Sequence, residues 1–60
     1  MKLKVDKYYV NRRGKKVKIV GVDDSFFHKV FFDENANAYT EDGYPDKKGM
    51  TQADRLVGEV

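Results

Sequence analysis

Residues 8–18 read YYVNRRGKKVK, and the way in which this stretch folds back on itself decides the rest of the architecture. Apolar and basic side chains flank Arg13-Gly14, a dipeptide that favours a tight turn between two strands. A two-residue turn there predicts a hairpin with one apolar face and one basic face. Its pairs are Val10 with Val17 and Tyr8 with Ile19 on the apolar face, and Asn11 with Lys16 and Tyr9 with Lys18 on the basic face.

A second register is open to the same residues. Gly14 adopts the left-handed backbone conformation more easily than Arg13 does, which favours a three-residue loop. That loop sets Val10 beside Lys16 and blurs the separation of the two faces. We favour the two-residue turn, because it keeps apolar and basic side chains on opposite sides of the hairpin.

The remaining chain has the turn signals of a β protein. These signals separate short segments rich in Val, Ile, Tyr and Phe at intervals of about ten residues, and no helical period is sustained. The segment FFHKVFFD, residues 26–33, predicts a central strand with aromatic side chains on both faces. Residues 51–54 have the capping-box pattern of one helical turn, and Pro45 restricts its surroundings to a sheet edge.

Together these segments predict a single domain over residues 1–60. The fold class is all-β, a small five-stranded antiparallel SH3-like barrel with one 3₁₀ turn before the last strand. Short strands are expected at 38–40 and 56–60, with Asp42-Gly43 as a tight turn between them. The predicted core consists of Tyr8, Val10, Val17, Ile19, Phe26, Val30, Phe32, Tyr39 and Leu56.

The composition limits the chemistry that the chain can perform. A chain of 60 residues buries only about 60% of the surface that its unfolded form exposes, so the core is small. The absence of cysteine excludes disulfides, thiol nucleophiles and zinc–thiolate or iron–sulfur sites, and favours a reducing compartment. The longest apolar runs are three residues, far below the roughly 20 that span a bilayer. We therefore expect a soluble, cytoplasmic protein without membrane contact.

The net charge of +2 conceals an uneven distribution of charged side chains. Residues 1–20 carry eight basic side chains and one acidic one, whereas residues 21–60 carry four basic and nine acidic ones. The molecule is therefore expected to be a dipole with the first hairpin at its positive end. Such a dipole steers polyanions to one face, unless its two ends compensate each other within the fold.

No residue pattern points to catalysis or to a bound cofactor. His28, the single histidine, has no serine or cysteine partner at a catalytic spacing, and paired carboxylates are expected in turns. Residues 33–37, DENAN, begin like a calcium loop, but Ala38 and Tyr44 stand where that loop needs glycine and glutamate. The glycines are isolated, so no phosphate-binding glycine loop is present. The sequence predicts a non-enzymatic protein with no cofactor and no metal.

Four segments together resemble a known group of proteins. The order YYVNRRGKKVKIVGVD, a Phe-rich strand, AYTEDGY and DRLVGEV is similar to short, uncharacterised bacteriophage and prophage proteins that are thought to be SH3-like small barrels. The resemblance covers most of the chain and implies a fold and an origin. It implies no active site, because the shared motifs are turn and core patterns. A phage origin would place the protein in the cytoplasm of the host cell.

Two classes of binding function fit these features. The first is a module that binds a host or phage protein, or a second copy as a homodimer, through the aromatic residues Phe27, Phe31, Tyr39 and Tyr44. The alternative is nucleic-acid binding by the basic hairpin, with Tyr9 as a stacking surface among Arg12, Arg13, Lys15, Lys16 and Lys18. Charges that only solubilise the hairpin and protect a sheet edge explain the same lysines. Exposure of Phe27 and Phe31 would favour the first class, and exposure of Tyr9 with the lysines the second.

Overall fold

The computed structural model describes residues 1–25 and 27–60, and within them the chain is all-β. Its elements are β1 (Tyr8–Asn11), β2 (Lys16–Asp23), β3 (Val30–Asp33), β4 (Ala38–Tyr39), a 3₁₀ turn (Gln52–Asp54) and β5 (Leu56–Glu59). All strand pairs are antiparallel. The prediction of five short antiparallel strands with one 3₁₀ turn before the last strand is confirmed.

The strands form one curled sheet in the order β4-β3-β2-β1-β5, but the predicted barrel is not closed. In the part of the chain that the structure describes, β4 and β5 are edge strands that do not pair with each other. The physical reason is that the outer edge of β4 is already occupied, because Pro45 forms a bridge with Tyr39. A backbone hydrogen bond from the Leu56 N–H to the Gly43 carbonyl (2.9 Å) joins β5 to the turn after β4.

The first hairpin adopts the register that the sequence analysis did not favour. Tyr8 pairs with Lys18, Tyr9 with Val17 and Val10 with Lys16. Gly14 is left-handed, with φ of +81°, at the end of a three-residue loop, 12–14. The Asn11 side chain favours this loop, because its Oδ1 accepts hydrogen bonds from the backbone N–H groups of Arg13 and Lys15, both at 2.9 Å.

This shift of one residue exchanges the two faces of β1. Tyr9 faces the core and is fully buried, whereas Tyr8 is 42% exposed and Val10 is half-buried. The orientation predicted for β2 is confirmed, since Val17 and Ile19 are buried. Within the hairpin, the prediction failed on β1 and held on β2, because side chains alternate along a strand and a slip of one residue reverses every side chain of the slipped strand.

The core cluster consists of Leu3, Tyr9, Val17, Ile19, Phe31, Tyr39 and Leu56, with Met50 packed against it. Val17, Ile19, Tyr39 and Leu56 confirm their predicted places in this cluster, and Val30 is buried on the opposite face of β3, outside the cluster. Tyr8, Val10 and Phe32 were predicted as core residues and are exposed or half-buried instead. Phe26, also predicted in the core, lies outside the described residues.

The central strand is shorter than the sequence predicted. β3 begins at Val30, so Phe27 precedes the strand and is solvent-exposed. The buried Ile19 of β2 pairs with Asp33, which places Asp33 and Phe31 on the core face of β3. Phe31 joins the core cluster, and Phe32 is half-buried on the opposite face. Aromatic side chains thus occupy both faces, but the predicted core face of this strand is reversed.

Two later turns match their sequence signals. Gly43 has φ of +92° and its N–H donates to the Thr40 carbonyl at 2.9 Å. A Cβ atom at this position would stand 2.9 Å from the Leu56 carbonyl oxygen, so glycine allows β5 to approach the turn. Thr51 caps the 3₁₀ turn: its hydroxyl accepts from the Ala53 N–H, and Asp54 accepts from the Thr51 N–H.

A buried carboxylate determines the loop between β3 and β4. Asp33 is 2% exposed, and its Oδ1 accepts hydrogen bonds from the backbone N–H groups of Asn35 (2.8 Å) and Asn37 (3.0 Å). Its Oδ2 accepts from the side-chain amide of Asn37 (3.2 Å) and from the Tyr39 hydroxyl (2.7 Å). The DENAN segment is therefore a hairpin loop whose donors converge on Asp33.

The buried Tyr39 hydroxyl is expected to make the folded state less stable as the pH rises into the alkaline range. Burial, together with the hydrogen bond to the Asp33 carboxylate, raises the pKa of Tyr39 above its ordinary value near 10. Above that value the unfolded chain loses this proton while the folded chain keeps it, so the stabilisation is complete below about pH 10 and falls as the pH rises. We expect the free energy of unfolding to fall between about pH 10 and 12 by up to about 1.4 kcal/mol per pH unit more than in Tyr39→Phe. Urea unfolding at several pH values checks this, and equal slopes in both proteins would contradict it.

Candidate functional site

The outer face of the first hairpin carries an exposed aromatic ring between two lysines. Tyr8 lies on β1 opposite Lys18 on β2, and Lys16 is two pairs further toward the loop, opposite Val10. The Nζ atoms of Lys16 and Lys18 lie 5.1 Å and 5.8 Å from the centre of the Tyr8 ring, which is cation–π distance. We call Tyr8, Lys16 and Lys18 the basic face of the hairpin.

The loop at the end of the hairpin extends the positive charge. Arg12, Arg13 and Lys15 are all exposed, and the Asn11 side chain fixes the backbone on which they stand. Arg13 is paired with Asp54 of the 3₁₀ turn, with 2.8 Å between Nη1 and Oδ1. A basic residue of the hairpin and an acidic residue of the later chain therefore neutralise each other at this point of the loop. Arg12 and Lys15 are close to this ion pair in sequence.

The basic face itself is uncompensated in the part of the chain that the structure describes. There, ion pairs within 4.0 Å involve Lys2 and Arg13, the His28 ring contacts Asp46, and none of these contacts involves Lys16 or Lys18. Glu34 borders this face, because its carboxylate oxygen accepts a hydrogen bond from the Lys18 backbone N–H at 3.4 Å. The basic face thus combines two lysines that have no carboxylate partner with an aromatic ring that solvent can reach.

Tyr9, the predicted stacking residue, is not part of this surface. Its ring is fully buried in the core, and its hydroxyl accepts a hydrogen bond from the Lys4 backbone N–H at 2.8 Å. Tyr8, which the sequence analysis assigned to the core, occupies the place between the lysines instead. The three-residue loop with a left-handed Gly14 was the signal that could have identified Tyr8.

The four aromatic residues predicted for protein interaction do not form one surface. Phe31 and Tyr39 belong to the core, at 4% and 1% exposure. Phe27 and Tyr44 are exposed, but they border two different clefts. The exposure of Phe27 and Phe31 therefore does not decide between the two functional classes, because Phe27 is exposed and Phe31 is buried.

An apolar groove lies on the face of β3 and β4 that points away from the core. It has a volume of about 580 Å³, and its floor is formed by Val30, Phe32 and Ala38. The remaining lining residues are Phe27, His28, Ala36, Asp46 and Lys47. Two contacts hold this rim in place: His28 Nε2 lies 3.0 Å from Asp46 Oδ2, and Lys47 Nζ donates to the Ala36 carbonyl at 3.0 Å.

A second cleft of about 380 Å³ lies between the turn after β4 and the start of β5. Its main feature is the Arg55 guanidinium, which stacks on the Tyr44 ring at 4.4 Å from the ring centre. Asp42 lines the same cleft and is paired with Lys2 at 3.7 Å. Arg55 covers one face of the Tyr44 ring, so the exposed surface of Tyr44 lies away from Arg55.

Residues 1–25 and 27–60 contain no group of three or more histidine, cysteine, aspartate or glutamate side chains that could hold a metal ion. No helix in the same residues is long and apolar enough to cross a membrane. Comparison with known protein families, with curated proteins and with solved structures finds no match to this chain.

Proposed function

We propose that this protein is a non-enzymatic binding module that contacts single-stranded nucleic acid through the basic face of its first hairpin. The observation that carries the proposal is the placement of the exposed Tyr8 ring between Lys16 and Lys18, neither of which has a carboxylate partner within the described residues. Lysines attract backbone phosphates, and an exposed tyrosine ring stacks on a base.

A single strand fits this face better than a duplex. The bases of a duplex are stacked on one another, so Tyr8 has no base face to contact there, whereas a single strand offers one at every nucleotide. Arg12 and Lys15 are exposed in the adjoining loop and add positive charge that attracts the phosphates of a bound strand. Recognition of this kind depends on charge and stacking and does not require a particular base sequence.

Binding should show the salt dependence of phosphate contacts. Fluorescence anisotropy with a labelled single strand of about 12 nucleotides is expected to give micromolar affinity at about 50 mM salt. In Lys16→Ala/Lys18→Ala, the slope of log affinity against log salt should become shallower by about 1.4, because each single-strand phosphate contact contributes about 0.7. Tyr8→Ala should lower the affinity about fivefold to a hundredfold and leave the slope unchanged.

The matched control removes the same charge elsewhere. Lys29 and Lys48 are exposed and lie outside the hairpin, so Lys29→Ala/Lys48→Ala changes the net charge equally. This control should keep the wild-type slope. Absence of binding at low salt, or an equal change of slope in both double variants, would contradict the proposal and leave the lysines with a solubilising role.

The fold proposed for this module is SH3-like. Its support is the meander of β1 to β4, the return of β5 to pair with β1, and the 3₁₀ turn that immediately precedes β5. These are the connections expected of a small SH3-like barrel, although this sheet remains open at β4 and β5. The phage or prophage origin and the host-cytoplasm location implied by the sequence resemblance form part of this proposal.

A second candidate function, protein interaction, is favoured by one observation. The Phe27 side chain is exposed at 109% of its reference value and stands at the rim of the apolar groove over β3 and β4. An exposed phenylalanine beside an apolar groove is typical of a contact surface for another protein. This surface is separate from Tyr8, Lys16 and Lys18, so the two candidate functions do not exclude each other.

A further inference from the structure

The Phe27 ring makes no use of the groove that it borders. Its exposure of 109% means that it gains no burial from its own chain. The groove beside it, at about 580 Å³, has room for a phenylalanine ring, and its floor of Val30, Phe32 and Ala38 is apolar. One surface therefore carries both a projecting ring and a cavity suited to such a ring.

A surface that contains both parts is complementary to itself. In a two-fold contact, both copies present the same patch. If one residue of the first copy contacts a second residue of the other copy, the same pair also forms in the reverse direction. Phe27 of each copy would enter the groove of the other copy, and both rings would be removed from water. A contact that pairs two different surfaces would bury the two rings differently and would leave open ends.

The charges at the rim support the same arrangement. Asp46 and Lys47 are adjacent and both line the groove, so a two-fold contact can place Asp46 of each copy against Lys47 of the other, in addition to the contacts that they make within their own copy to His28 and to the Ala36 carbonyl. The basic face of the hairpin cannot associate in this way, because Lys16 and Lys18 would face their own like charges. Charge complementarity therefore favours a second copy at the groove and disfavours one at the hairpin.

From these features we infer that the groove over β3 and β4 is a homodimer contact in which Phe27 of each copy occupies the groove of the other. This inference rests on the second candidate function and names its partner as a second copy of this chain. A contact built on one ring and one groove per copy should be smaller than the roughly 800 Å² per partner of a standard interface, so the dimer should be weak, with a Kd on the order of 100 μM.

Sedimentation velocity over about 10 to 1,000 μM protein tests the inference. Wild type should pass from monomer to dimer in this range, and Phe27→Ser should remain monomeric. Val57→Ser is the matched control, because Val57 is 52% exposed on β5, outside the groove, and this variant should dimerise like wild type. A monomeric wild type, or a Phe27→Ser variant that still dimerises, would overturn the inference.

Charge exchange tests the two-fold geometry directly. Asp46→Lys and Lys47→Asp should each weaken dimerisation at least tenfold, and the double variant should restore it, since the reversed charges meet again across the axis. If the double variant folds but its dimerisation is not restored, the proposed contact between Asp46 of one copy and Lys47 of the other is wrong. If wild type is monomeric but binds the apolar dye anilinonaphthalene sulfonate, and Phe27→Ser does not, the homodimer is excluded while the second candidate function stands.

Discussion

Tyr9→Ala is expected to abolish cooperative thermal unfolding, whereas Tyr8→Ala is expected to unfold cooperatively close to the wild-type temperature. Tyr9 is fully buried in the core cluster, and truncating a large buried aromatic side chain costs about 3 to 5 kcal/mol. A domain of 60 residues has roughly 3 to 9 kcal/mol in total, so this loss removes most of the stability. Differential scanning calorimetry of the two variants measures the difference.

Tyr8→Ala is the matched control, because the two residues are chemically identical and adjacent. Tyr8 is 42% exposed and contacts the side chains of Lys16 and Lys18, so its truncation should cost about 1 kcal/mol or less. The two-residue turn predicts the opposite ranking, with Tyr8 inside and Tyr9 outside. A more damaging effect of Tyr8→Ala would therefore restore that register and remove the basis of the basic face.

The identity of these two tyrosines shows where sequence reasoning reached its limit. Hydrophobic alternation correctly placed Val17 and Ile19 inside, because polar lysines alternate with them on β2. On β1 the pattern YYV has no polar residue to mark the outer face, so the orientation depended on the length of the loop. The loop length is determined by the hydrogen bonds that the Asn11 side chain accepts. A pattern that only distinguishes apolar from polar residues gives no information on such hydrogen bonds.

The Phe-rich segment has a related explanation. Its alternation predicted one long strand with Phe32 inside, but Asp33 pairs with the buried Ile19 of the neighbouring strand, so Phe31 and not Phe32 lies on the core side of β3. The register with a partner strand is not contained in the segment's own residues, so its alternation does not reveal which face meets the core. Turn chemistry was easier to predict, as Gly43 and Thr51 show, because each turn is determined by residues next to it in sequence.

For the candidate site, charge was predictable and the aromatic contacts were not. The concentration of basic side chains in the first hairpin is a property of the sequence and survives any register. Which ring stands among them depends on the register, and the predicted Tyr9 is replaced by Tyr8. The groove beside Phe27 joins residues of β3, β4 and the segment after Pro45, so that it exists only in the folded chain.

Replacement of the buried carboxylate, Asp33→Ala, should have the second large effect, a loss of about 3 to 5 kcal/mol. The change leaves the buried Tyr39 hydroxyl and the half-buried Asn37 N–H groups without their acceptor, and each donor left unsatisfied away from water costs about 1 to 3 kcal/mol. Urea unfolding followed by circular dichroism measures this loss. Glu34→Ala is the matched control: it removes the same charge from the neighbouring exposed residue and should cost less than about 1 kcal/mol.

A double variant separates the lost hydrogen bonds from the lost packing. In Asp33→Ala/Tyr39→Phe no hydroxyl is left without an acceptor. The double variant should therefore lose less free energy of unfolding than the sum of the two single variants' losses, by about 0.5 to 3 kcal/mol. Equal costs for Asp33→Ala and Glu34→Ala would contradict the role of Asp33.

The loss of Asp33 should also affect the groove, because Ala36 lies in the loop that Asp33 holds and lines the groove next to Lys47. Loss of the Asp33 hydrogen bonds should therefore also weaken dimerisation through Phe27, even where the rest of the sheet stays folded.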